Sequence, residues 1–201
     1  IILVEDYIYN ETQTWEFLED RPVPVTIRGM DDTNKVKLSY NYITPGVAQA
    51  QQETNINLHE DLIFDSIELK LMHIYANGYD IKICKDVVGS NIYLYGSART
   101  NITNQVGKIE VYGGNYARIA GYVRSNPMVD VVGKEANITV GGTANVTTVI
   151  AGSASGGIEN AIVNITVMDE GTVGTLVGSC QGFSNAYSPY SGTTTINIKG
   201  G

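Results

Sequence analysis

Cysteine is scarce in this chain. Cys84 and Cys180 are the only two, almost a hundred residues apart, and no Cys-x-x-Cys pair occurs. That spacing excludes a disulfide framework and provides no structural zinc motif. Charge is sparse as well: charged residues make up 17% of the chain, against about 25% in an ordinary globular domain. Positive charge is the shorter of the two signs. The net charge is −8, so the basic footprint of a nucleic-acid binder is missing. No apolar run approaches the roughly 20 residues of a transmembrane helix, so no membrane insertion is expected in this segment. Helical periodicity is weak; Thr12–Leu18 and Pro45–Gln52 are the best helix candidates, each about two turns at most. His59 and His73 are isolated from any partner at ligand spacing. Neither a metal nor another cofactor is expected.

What the chain does have is glycine, tyrosine and a repeat. There are 22 Gly, and the 13 Tyr outnumber 3 Phe and 1 Trp. Four segments of the second half share one pattern: Ile109-Glu-Val111, Ile138-Thr-Val140, Ile165-Thr-Val167 and Ile196-Asn-Ile198, starting 29, 27 and 31 residues apart. The first three are followed by a second apolar beat, Tyr116…Ile119, Val146…Val149 and Val173…Leu176, and each beat runs into Gly121, Gly152 or Gly178. A period of this length marks stacked structural units. Strands with glycine-rich corners also suit a sandwich or a barrel. Those folds call for hairpin signals, however, and Asn-Gly occurs once, at Asn77-Gly78.

The pattern therefore predicts an all-β, single-stranded right-handed parallel β-helix of roughly seven or eight coils, forming one domain over residues 1–201. Residues 1–88 read as irregular first coils, with a long polar loop near 41–60 that holds a short strand around Ile56. Residues 89–201 read as regular repeats. Acids number 15 against 7 bases in the first part and 6 against 6 in the second, and 19 of the 22 Gly fall in the second. The expected inward column is Ile81/Ile83, Ile92/Leu94, Ile109/Val111, Ile138/Val140, Ile165/Val167 and Ile196/Ile198. Cys84, one step beyond Ile83, would point away from the core. The stretches 122–136, 153–162 and 180–193 become loops thrown out from one corner. The chain begins at Ile1 inside one strand and stops at the end of another, which reads as a piece of a longer, processed protein.

The strand Ile2-Leu-Val-Glu-Asp-Tyr-Ile-Tyr9, the segment Pro24-Val-Thr-Ile-Arg-Gly29, the segment Ile74–Ile83 and the repeats of the type NITVGG…VTTVIAG resemble pectin-lyase-like right-handed β-helix domains. The nearest group is that of large secreted or wall-attached surface proteins of Gram-positive gut bacteria. This chain departs from it at the second corner, which reads YARIAG, TTVIAG or GTLVG where the group has YGGG. The resemblance implies an extracellular or cell-surface location and contact with glycans or host proteins. Polysaccharide lyases and hydrolases share the fold, which makes a fragment of such an enzyme the alternative.

Aligning the repeats puts Lys82, Tyr93, Glu110, Thr139, Thr166 and Asn197 in one outward column, and Cys84, Tyr95, Tyr112, Gly141, Met168 and Lys199 in the next. Glu110 is the only carboxylate there, whereas sugar hydrolysis requires a pair. Asp31-Asp32 and Asp169-Glu170 read as turn residues, so no catalytic residue is expected. Tyr93, Tyr95, Glu110, Tyr112 and Arg118 form the candidate contact patch, since aromatic rings beside hydrogen-bonding groups suit sugars and also suit packing. Five Asn-x-Thr sequons occur, at Asn10, Asn101, Asn137, Asn145 and Asn164. Asn137 and Asn164 coincide with strand starts, where hydrogen bonding at the coil corner is expected. Only Thr139 and Thr166 align, so no threonine lattice for ice is present. A monomer is expected.

Overall fold

The computed structural model describes residues 1–9, 24–31, 33, 35–40, 55–70, 73–97, 106–124, 128–181 and 190–200. The helix candidates Thr12–Leu18 and Pro45–Gln52 lie outside these, as do Asn10 and Asn101. Among the described residues every strand pairing is parallel, and the strands build three sheets wound into a β-solenoid. The first sheet runs through β1 (Ile2–Leu3), β3 (Val25–Gly29), β6 (Leu62–Asp65), β9 (Ile81–Ile83), β12 (Ile109–Val111), β15 (Glu135–Val140) and β17 (Gly157–Met168). β14 (Met128–Asp130) lies end to end with β15 on one side of β17, and β19 (Tyr190–Lys199) pairs on the other. The second sheet is β5 (Asn55–Asn57), β8 (His73–Tyr75), β11 (Ile92–Tyr95), β13 (Asn115–Ala120), β16 (Asn145–Ile150) and β18 (Thr172–Val177). The third is β2 (Tyr7–Tyr9), β4 (Lys37–Tyr40), β7 (Glu68–Lys70) and β10 (Val88–Ser90).

The repeat defines the register. Ile109 pairs Ile138, Ile138 pairs Ile165, and Ile165 pairs Ile196. The second beat does the same on the second sheet, with Tyr116, Val146 and Val173 in one column and Ile119, Val149 and Leu176 in another. On the first sheet the inward columns extend back through Ile81 to Leu62 and Val25, and through Ile83 to Phe64 and Ile27. These side chains form one continuous buried core as far as Ile165. Each buried aliphatic side chain is worth about 1.5–3 kcal/mol, and a parallel ladder joins every coil to the next.

Three expectations need correction. Ile92 and Leu94 do not belong to the first-sheet column: β11 pairs β8 and β13, so Ile109 stacks directly on Ile81. The full three-sided coil does not repeat seven or eight times. Among the described residues the third sheet has 4 strands, so about four turns include the third side. After β10 that side is closed off at Gly113 and Gly114, and a side chain at Gly113 would press against the carbonyl oxygens of Lys85 and Val87. The expected outer loops are partly strand, since β14 occupies Met128–Asp130 and β17 begins at Gly157. The strand around Ile56 is present as β5.

Corners that demand positive φ use Asn and Asp as well as Gly. Asn77 (53°), Asn91 (56°) and Asp169 (55°) are left-handed, a conformation that short polar side chains tolerate. The lone Asn-Gly dipeptide closes a tight turn from Ala76 to Tyr79 that carries the chain between two sheets. Aspartates cap the next coil: Asp61 Oδ1 accepts the Asp80 N–H, and Asp80 Oδ1 accepts the Lys108 N–H, both at 2.8 Å. Among the described residues, no helix is long and apolar enough to cross a membrane.

Candidate functional site

The fold divides the five candidate contact residues between two surfaces. Glu110 and Tyr112 stand on the first sheet, where Lys82, Glu110 and Thr139 share an outward column. Tyr93, Tyr95 and Arg118 stand on the second sheet. The alignment that placed all five together assumed that β11 followed β9 on the same side, which it does not.

On the first sheet the polar groups engage one another. Lys108 Nζ lies 2.8 Å from Glu110 Oε1, and the Tyr112 hydroxyl donates to the same oxygen at 3.4 Å. The hydrogen bond that Lys108 donates to Glu110 raises the Lys108 pKa. Burial, followed by the Glu110 charge, raises that of Tyr112. Gly141 makes room for the Tyr112 ring and Met168, whose atoms lie 3.0–3.2 Å from where a Cβ would stand. Where the chain enters this sheet, Asp80, Lys108, Lys134, Glu135 and Asn137 line a shallow depression. Both carboxylates there accept hydrogen bonds, Asp80 from the Lys108 N–H and Glu135 from Asn164 Nδ2 at 2.6 Å.

On the second sheet the outward residues form two aromatic steps. Tyr93 pairs His73 on one side and Arg118 on the other, and the His73 and Tyr93 rings stack at 4.3 Å and 18°. In the adjoining column Tyr75, Tyr95, Ala120, Ile150 and Val177 succeed one another. The Tyr75 and Tyr95 rings stack at 4.9 Å and 13°. Arg124 Nη1 donates to the Tyr75 hydroxyl at 3.5 Å. Tyr95 was expected at the surface, yet it is fully buried in a small second core with Tyr75, Ala120, Ile150 and Ala154. Burial and the neighbouring Tyr75 push its pKa up, and its hydroxyl has no hydrogen-bond partner among the described residues. Tyr93, His73 and Arg118 are half-buried.

His73 read as isolated because its ring partner, Tyr93, lies on the next coil and not nearby in sequence. The cue was the 20-residue step from His73 to Tyr93, close to the 19-residue coil from Leu62 to Ile81. The sequon asparagines Asn137 and Asn164 were expected at strand starts, bonding the coil corner, but they lie inside β15 and β17 and form a side-chain ladder along the sheet. Asn164 Nδ2 donates to Asn137 Oδ1 at 3.2 Å. A second ladder runs from Thr172 to Asn145 and from Asn145 to Asn115. Asp31 Oδ1 accepts the Thr33 N–H at 2.7 Å, as a turn residue does.

Cys84 is half-buried, whereas Cys180 is buried and accepts the Ser153 N–H at 3.3 Å. Burial raises the pKa of both thiols. Among the described residues, no group of three or more His, Cys, Asp or Glu is placed to hold a metal ion.

No protein-family model, curated protein or solved structure matches the chain.

Proposed function

We propose that this chain is a non-catalytic module of a secreted or cell-surface protein: a rigid β-solenoid that acts as a stalk and presents a contact face, as adhesin-like proteins do. One observation carries the reading. The outward groups able to do chemistry are engaged with neighbouring residues, many of them on the next coil. Glu110 is held by Lys108 and Tyr112, Asn145 joins Asn115 to Thr172, and Glu135 joins Asn164. Tyr75 and Tyr95 spend their ring faces on each other. Such ladders stiffen a stack in the way that Asn ladders and stacked aromatics do in cross-β assemblies.

The face for a glycan or a host surface protein is the half-buried row His73, Tyr93 and Arg118, with Tyr95 removed from the contact set by its burial. The rings stack along the solenoid axis and turn their edges outward, so contact there depends on hydrogen bonding from the Tyr93 hydroxyl and the guanidinium. A glycan array and a host-protein pull-down test the contact. Binding should weaken in Tyr93→Ala and persist in Tyr112→Ala; the opposite pattern assigns contact to the first sheet, and a blank result with both leaves the stalk alone.

Polysaccharide cleavage is the competing reading, and it requires two carboxylates about 5–10 Å apart over a groove. The depression with Asp80 and Glu135 is the place to look. Acidic and neutral polysaccharides should yield neither unsaturated uronides nor new reducing ends. Turnover that disappears in Glu135→Gln would overturn the stalk assignment.

A further inference from the structure

We draw no further inference here: the strongest candidate, the outer edge of β19, where the inward-pointing Ile196 and Ile198 are 43% and 73% exposed, is an apolar face that no described strand covers, and nothing in the structure shows what does.

Discussion

Between Leu62 and Ile81 the chain closes a coil in 19 residues, using three strands of 4, 3 and 3 residues. Between Ile138 and Ile165 it uses 27 residues and turns directly from one six-residue strand into another. The early coil is a tight triangle, and the later one is two broad sides with a return segment. Corners account for the difference. Early coils turn on Asp and Asn, with carboxylates capping the strand starts of the next coil. Later coils turn at Gly113-Gly114, Gly141-Gly142 and Gly171, where close backbone approach eliminates the third side. The aspartate caps of the early coils and the glycine corners of the later ones thus serve one continuous core.

The sharpest way to break this contrast is to fill the corner where the third side ends. Gly113→Val forces side-chain atoms onto the carbonyls of Lys85 and Val87, which are backbone and cannot swing aside. Its cost should be on the order of 4 kcal/mol, read as a fall in the urea midpoint. Gly178→Ala, where an added Cβ meets nothing within 4 Å, is the control and should change little. Equal midpoints for the two variants would remove the corner argument.

Position along the stack should matter next. Ile138→Ala empties a fully packed site in the inward column and should cost about 3–4 kcal/mol. Ile198→Ala lies in an inward column too but is 73% exposed, so its cost should stay below about 1 kcal/mol. Similar losses at the two sites would mean that the last coil is covered in solution.

Two buried tyrosines sharpen the comparison further. The Tyr122 hydroxyl shares its one proton between the carbonyls of Lys134 (2.8 Å) and Ile162 (3.0 Å) and accepts the Ile162 N–H (3.2 Å). It braces the later coils where β14 and β15 are separated. Tyr122→Phe strands those backbone groups and should cost about 1–3 kcal/mol. Tyr95→Phe removes a buried hydroxyl that has no partner among the described residues, so stability should hold or rise. Thermal melts of both variants decide the matter, and a clear loss in Tyr95→Phe would show that its hydroxyl is satisfied in solution.

The sequence made the regular part of this fold readable because an I-x-V pair followed by a glycine corner states both the strand and its level in the stack. It could not say which sheet a strand joins. Ile92-Tyr-Leu-Tyr95 alternates just as Ile81-Lys-Ile83 does, and only the length and corners of the intervening chain send it to the second sheet. Alternation also divides residues into inward and outward, without revealing that an outward row can be buried again by a second layer. That is why Tyr95 read as surface and Tyr93 as its companion beside Glu110. His73 read as isolated because its partner Tyr93 lies one coil away, at a distance set by a coil shorter than the repeats of the second half.

The smallest expected effect concerns pH and belongs to the break between β14 and β15. Asp130 is exposed, and its carboxylate accepts hydrogen bonds from Asn160 Nδ2 and from the Val132 N–H, each at 3.0 Å. The Asn160 bond first, and the Val132 bond after it, hold the Asp130 pKa below its ordinary value. A carboxyl with a lower pKa in the folded state than in the unfolded state binds its proton more readily when unfolded. Its contribution is therefore fully present above the unfolded value of about 3.9 and is lost as pH falls through the folded value. Asp130→Asn keeps an acceptor oxygen for both bonds and removes the titration. Melts followed by circular dichroism at pH 5, 4 and 3 should show a slightly shallower acid-dependent fall in the variant than in the parent chain. Parallel curves would mean that Asp130 carries no stability through its charge, leaving the turn at Val131–Lys134 to be held by its backbone and by the Tyr122 hydroxyl.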